Sequence, residues 1–301
     1  MQDFLQNLII GIQTGAVYAL IAVGYTMVYG VLRLINFAHG DVYMIGAFVG
    51  LNLSARLGFE AAGTPAGFTF VFVFTLVACA VVGVLIERLA YRPLRAAPRI
   101  TALITAIGVS LLLEALGQLI WGTAPHYFPG TLIRTPAIRV LGVDLNAKYL
   151  VILAASVALM TALWFVVTRT RVGKAMRAVS HDREAASLMG IDTNRIIAFT
   201  FALGSALAGA AGLLVSALTN VRIDPLVGIL PGLKAFVAAV LGGIGSIPGA
   251  VVGGLVMGIA ETFVTASGHS TWRDAIAFIL LILILIFRPA GIMGRAGVEK
   301  V

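Results

Sequence analysis

Long apolar runs separated by short polar breaks organise this chain. They cover Phe4–Leu32, Val42–Ala55, Ala66–Ile86, Ile100–Trp121, Tyr149–Thr168, Ile196–Leu218, Leu226–Ala260 and Ala275–Phe287. A helix needs roughly 20 such residues to cross a hydrocarbon core of about 30 Å. The runs do not alternate in polarity, as the strands of a closed membrane barrel would. In lipid each backbone polar group must be satisfied internally, so helices are the expected element. The expected fold is all-α: a polytopic helical bundle of about eight to nine membrane passages, some short or broken. A single transmembrane domain is expected over residues 1–301.

One run is too long for a single straight span. Leu226–Ala260 contains LGGIGSIPGA, where Gly242, Gly243, Gly245 and Pro248 predict a break between two shorter helices. Irregular backbone at membrane depth survives only under protein or beside a water-filled cavity. These glycines do not match a dinucleotide fingerprint, because Pro248 stands where a third glycine would be needed. Pairs at GxxxG spacing recur at Gly11/Gly15, Gly46/Gly50, Gly249/Gly253 and Gly254/Gly258, and predict close helix crossings.

Composition agrees with lipid as the solvent: 60% of residues are hydrophobic and 11% charged, against roughly 25% charged in soluble domains. The net charge of +8 would suggest nucleic acid if the basic residues were not confined to the breaks. Six Lys or Arg fall within Arg169–Arg195 and four within Arg88–Arg99, a distribution that places both segments in the cytoplasm. The basic tail from Arg288 should join them, with the N-terminus and the segment Gly122–Lys148 facing outward. The opening MQDF lacks the basic region of a cleavable leader, so the first run is expected to be retained. A lone Cys79 and four dispersed histidines (His39, His126, His181, His269) offer no metal set.

Polar chemistry concentrates in GVLRLINFAHGDVYMIGA, Gly30 to Ala47. Val42–Ala55, with 14 residues, would rise only about 21 Å. If the second helix is to cross, the turn must come near Gly30–Leu34. Asn36, His39 and Asp41 would then occupy its first turns. Two readings remain open for them: a polar helix start at headgroup level, facing protein, or a polar constriction at the cytoplasmic mouth of a pathway. Glu114, inside Ile100–Trp121, is a second pathway candidate, because intramembrane carboxylates are costly. Lys234 and Glu261 sit nearer expected helix ends, where lysine reaches for the interface.

GAVYALIAVGYTMVYGVLRLINFAHGDVYMIGAF (Gly15–Phe48), GKAMRAVSHDREAASLMGID (Gly173–Asp192) and GLKAFVAAVLGGIGSIPGAVVGGL (Gly232–Leu255) occur in this order. On these motifs the chain resembles the branched-chain amino acid permeases of ATP-binding cassette importers, most closely the first of their two permease subunits. The resemblance implies a type II importer-like fold in the bacterial cytoplasmic (inner) membrane. It also implies a heterodimer with a second homologous permease and two cytoplasmic ATP-binding subunits. A periplasmic or extracellular binding protein would deliver leucine, isoleucine or valine. Relatives of this type also handle urea or short amides.

The same resemblance points to the ATPase contact. Glu184, Ala185, Ala186 and Gly190 match the Glu-Ala-Ala, three residues, Gly pattern of the coupling segment within 169–195. Ala178, Ala185, Leu188 and Met189 are expected on one side of a short amphipathic helix that seats in a soluble partner. The downstream Ile and Leu-Pro of the wider pattern are absent, since TFAL occupies Thr200–Leu203.

No cofactor is expected on this chain. Gly173-Lys174 is followed by Ala175 and is no phosphate loop, so ATP and Mg belong to partner subunits. An enzyme is not expected, for neither an HExxH pair nor a GxSxG elbow occurs. An ion-coupled secondary transporter is the alternative class; it needs coupling residues near the midplane, and the broken run around Gly242–Gly249 has no carboxylate. The topology makes a first prediction: a membrane-impermeant reagent applied to intact cells leaves introduced cysteines in 169–195 unlabelled, and labelling there would overturn the orientation.

Overall fold

The computed structural model describes residues 2–58, 64–95, 97–128, 137–140, 143–219 and 221–294. The helices are α1 (Gln2–Leu32), α2 (His39–Leu57), α3 (Pro65–Ile86), α4 (Arg99–Trp121), α5 (Ala147–Arg169), α6 (Arg171–His181), α7 (Arg183–Leu188), α8 (Thr193–Thr219), α9 (Ile229–Gly242), α10 (Ile247–Ala266) and α11 (Ala275–Phe287). The segment between α4 and α5 adds an antiparallel ribbon, β1 (Ala137–Val140) with β2 (Val143–Asn146). Within that loop 129–136, with Pro129 and Pro136, and 141–142 lie outside the described residues, as do Arg295 and Lys300 of the tail.

Six stretches are long and apolar enough to cross a membrane: Asp3–Leu32, Pro65–Leu94, Ile100–Trp121, Ala147–Arg169, Thr193–Thr219 and Ile247–Ala266. Together with α2, at 19 residues, and the short α9 and α11, they accommodate the expected eight to nine passages. The helices fall into an inner and an outer set. The most apolar windows of α1 and α8 are 72% buried, and those of α4 and α5 are 17% buried. α2 packs on α8, α3, α9 and α4, and it carries the buried His39, Asp41 and Ser54 because protein surrounds it. The outer α3, α4 and α11 turn Phe, Leu and Ile side chains outward, as lipid or a neighbouring subunit requires.

Glycine sets the inner spacing. Lipid tails are as apolar as leucine, so helices associate through packing, and small residues let backbones approach. α1 runs against α10 with Gly11 beside Ile259, Gly15 beside Leu255 and Gly254 beside Ala19. α2 meets α8 with Gly46 on the backbone of Gly209 and Gly50 on Leu213. All four GxxxG pairs therefore lie at close contacts, and Gly249 and Gly253 close the α9–α10 turn against Gly242 and Ala238.

That turn is the expected break. α9 ends at Gly242, and Gly243 and Gly245 adopt φ of 104° and 95°, open to glycine at little cost. Ser246 caps α10 by accepting from Gly249 N at 3.1 Å, with Pro248 in the first turn, where a missing N–H loses nothing. At 14 residues, α9 rises only about 21 Å, so it begins partway through the bundle. Gly46→Val or Gly254→Val should destabilise the protein by about 1–3 kcal/mol, the cost of overpacking. Gly108→Ala, into open space, should not. Thermal unfolding of the purified variants in detergent checks the contrast.

Candidate translocation and coupling sites

The polar stretch between α1 and α2 is deeper than a headgroup position. α1 stops at Leu32, and Arg33 takes the left-handed φ of 55° that ends the helix. The chain then turns inward. His39 Nε2 lies 3.2 Å from the carbonyl oxygen of Ile21, which is about eleven residues, or roughly 16 Å of helix axis, before Leu32. Its ring packs on Tyr25, with centroids 4.5 Å apart, and on Gly24. The residues face protein, as one of the two readings required, but midway along α1 and not at its end. Asn36 is a correction: α2 starts at His39, so Asn36 precedes the helix and belongs to the turn. Its Oδ1 accepts from the Tyr91 hydroxyl at 3.1 Å.

Asp41 and Glu114, 73 positions apart in sequence, come to one cavity of about 220 Å³ between α2, α4 and α9. Asp41 is buried and accepts a hydrogen bond from the Ser110 hydroxyl. Gly228 and Gly232 let the start of α9 approach Gly40 there. His39 and Asn36 do not line this cavity. The four pathway candidates thus divide: Asp41 and Glu114 share a space, while His39 and Asn36 hold helices together.

The segment expected to contact the ATPase differs from the single helix expected. Asp182, in extended backbone, ends α6 and caps α7, accepting from Glu184 N at 2.9 Å and Ala185 N at 3.0 Å. Ala178, Ala185, Leu188 and Met189 therefore do not form one stripe. Ala186 is also corrected, because it is buried in the protein's own core with Val179 and Ile197. Leu188 and Met189 project outward, 89% and 82% exposed, beside exposed Glu184 and Ala185. Gly190 turns the chain with φ of 81°. Arg183 points the other way and donates to the carbonyls of Val31 and Leu32 at 3.1 and 2.9 Å. A cation at the last carbonyls of α1 satisfies groups that the helix leaves open and complements its dipole.

Two ionic clusters escaped the sequence reading. Glu87, fully buried past the end of α3, takes Arg92 at 3.0 Å and also Arg95, which reaches on to Asn194 at the start of α8. Lys234 and Glu261 were expected near helix ends with the lysine seeking the interface; instead both are buried and paired at 3.1 Å. The Tyr18 hydroxyl donates to Glu261 at 2.7 Å, Arg273 joins the same carboxylate, and Asp274 takes Lys234 at 2.6 Å. Compensation explains why these charges sit inside: each buried ion has a partner. Their spacing of 27 residues leaves no local signal by which sequence could pair them. Among the described residues no group of His, Cys, Asp or Glu is arranged to hold a metal.

A helical bundle with six stretches long and apolar enough to cross a membrane, and polar groups held inside it, is that of a multi-pass membrane protein. Residues 7–285 match the family model described as branched-chain amino acid transport system, permease component, and the chain belongs to that family. It is 43% identical to the high-affinity branched-chain amino acid transport system permease protein BraD of Pseudomonas aeruginosa, covering 99% of this chain and 98% of that one. It is 44% identical to the corresponding protein LivH of Escherichia coli K12, with the same coverage. The ribose import permease protein RbsC of Haemophilus influenzae is 29% identical over 41% of this chain and 40% of its own length.

Removing one partner from a buried ion pair strands the other charge, at a cost of about 3–5 kcal/mol. Glu87→Ala should therefore lower the unfolding midpoint sharply, whereas Arg92→Ala, at a site 37% exposed, should lower it much less. Equal midpoints for the two would contradict the buried role of Glu87.

Proposed function

We propose that this chain is the membrane-spanning permease subunit of an ATP-binding cassette importer in the inner membrane, carrying branched-chain amino acids. A soluble binding protein delivers the substrate on the outer side. Two cytoplasmic ATP-binding subunits supply the free energy, and a second homologous permease completes a heterodimer. Near-full-length identity to BraD and LivH supports the substrate class over sugars, to whose permease the similarity is partial.

The observation that carries the coupling is the division of labour around α7. Leu188 and Met189 offer an apolar knob to a partner, as an exposed pair outside the lipid invites. Arg183 ties the same short helix to the end of α1. A push on α7 is thereby delivered to α1 and to the turn that leads into α2. Glu184, Ala185 and Gly190 shape the docking surface, with Ala186 anchoring it from inside. Asp41 and Glu114 mark the substrate path at mid-depth, and their cavity opens where the second permease would cover it, since lipid would not tolerate carboxylates there.

Vesicles containing the chain and its partners should take up leucine only with ATP and the ATPase present; uptake on an ion gradient alone would overturn the proposal. Gly190→Trp meets no neighbouring atoms at its first carbon but strains a positive-φ position. It and Leu188→Glu should leave membrane insertion intact and cut uptake at least tenfold while the ATPase subunits still hydrolyse ATP. Wild-type uptake in both variants would move the docking surface elsewhere.

A further inference from the structure

A second cavity, of about 360 Å³, lies at the end of the bundle opposite the basic segments 88–99 and 169–195. α1, α2 and α8 line it, with the segment after α8 and Arg273 beyond the end of α10. Its volume falls in the range of small-molecule sites. Valines make much of the wall, among them Val17, Val215 and Val227. Two polar groups face this space with nothing to bind. Gln13 and Tyr43, residues 5% and 2% exposed, line it, and neither side chain has a hydrogen-bond partner among the described residues. Their polar atoms are open to the cavity and not sealed in the core, so a ligand can reach them. Arg273 adds a cation whose Nε is engaged by Glu261; a guanidinium has five donors, so others remain for a ligand.

Apolar walls, a guanidinium and two unsatisfied neutral groups match one kind of molecule. We infer that this cavity is a binding station for an apolar α-amino acid at the outer mouth of the permease. Arg273 takes the carboxylate, the Gln13 carbonyl and Tyr43 oxygen accept from the ammonium, and the side chain rests on the valines. The paired Lys234 and Glu261 beneath it hold Arg273 in place and leave no bare charge to exclude the apolar side chain. This inference rests on the proposed transport function and names a site for its substrate.

The test uses the purified assembly of this chain with its permease and ATPase partners, without binding protein. The probes are radiolabelled leucine, isoamylamine, which lacks the carboxylate, and 4-methylpentanoate, which lacks the ammonium. Leucine should bind saturably, and each analogue at least tenfold more weakly. Val221→Trp at the rim should weaken leucine binding at least tenfold, and the near-isosteric Gln13→Leu and Tyr43→Phe about threefold each. Should the Val221 variant fail to assemble, the latter two decide. Absence of saturable binding to the wild type, or unchanged binding in the assembled variants, overturns the station. Uptake by the complete wild-type importer is measured in parallel. Leucine import without binding at the cavity sinks this site and leaves the transport function standing. Failure to import leucine, isoleucine or valine sinks the function itself.

Discussion

The contact of glycine backbone on neighbouring helix backbone is the constraint from which the rest of this structure follows. Between helices in lipid, no hydrophobic gain separates a protein neighbour from an acyl chain, so the strength of a crossing depends on how many atoms meet. Gly15 and Gly254 bring α1 and α10 together, while Gly46 and Gly209 do so for α2 and α8. A methyl group at Gly15, Gly46 or Gly254 would overlap backbone that has no freedom to move aside, and one at Gly209 would collide with the Cys79 side chain. The resulting inner layer is dense enough to exclude lipid entirely. Only inside such a layer can His39, Asp41 and the Lys234–Glu261 pair exist without facing hydrocarbon.

The two ends of the bundle are built differently. At the basic end, short-range ionic and hydrogen-bonded contacts join elements that are distant in sequence. Arg183 holds the end of α1, Tyr91 holds the turn at Asn36, and Glu87 gathers Arg92 and Arg95, the latter reaching α8. Force applied to α7 would thus reach several helices at once, through donors and acceptors that would be left unpaired if the elements separated. At the opposite end the Lys234–Glu261 cluster fixes α9 against α10, and the valine-lined cavity opens beside it.

Much of this was legible in the residues themselves. Apolar runs longer than a bilayer admit no soluble alternative, and the breaks carry their own punctuation: Arg33 after Leu32, and Gly243, Gly245 and Pro248 after Gly242. GxxxG spacing marked the crossings because a helix repeats its face every three to four residues. The Glu-Ala-Ala pattern singled out the segment 169–195, yet not its shape. Asp182 interrupts the helix by capping the next one, and this turned Ala186 into the core while releasing Leu188 and Met189.

Sequence by itself determined the solvent, the helices and their breaks. Those follow from local composition and periodicity, which act over one or two helical turns. Tertiary structure alone decided that Asp41 meets Glu114, that Lys234 is buried against Glu261, and that Gln13 and Tyr43 face the same space. These pairings depend on which face each helix turns toward which neighbour. That choice is set by the packing of the whole bundle and leaves no mark at any single position in the chain.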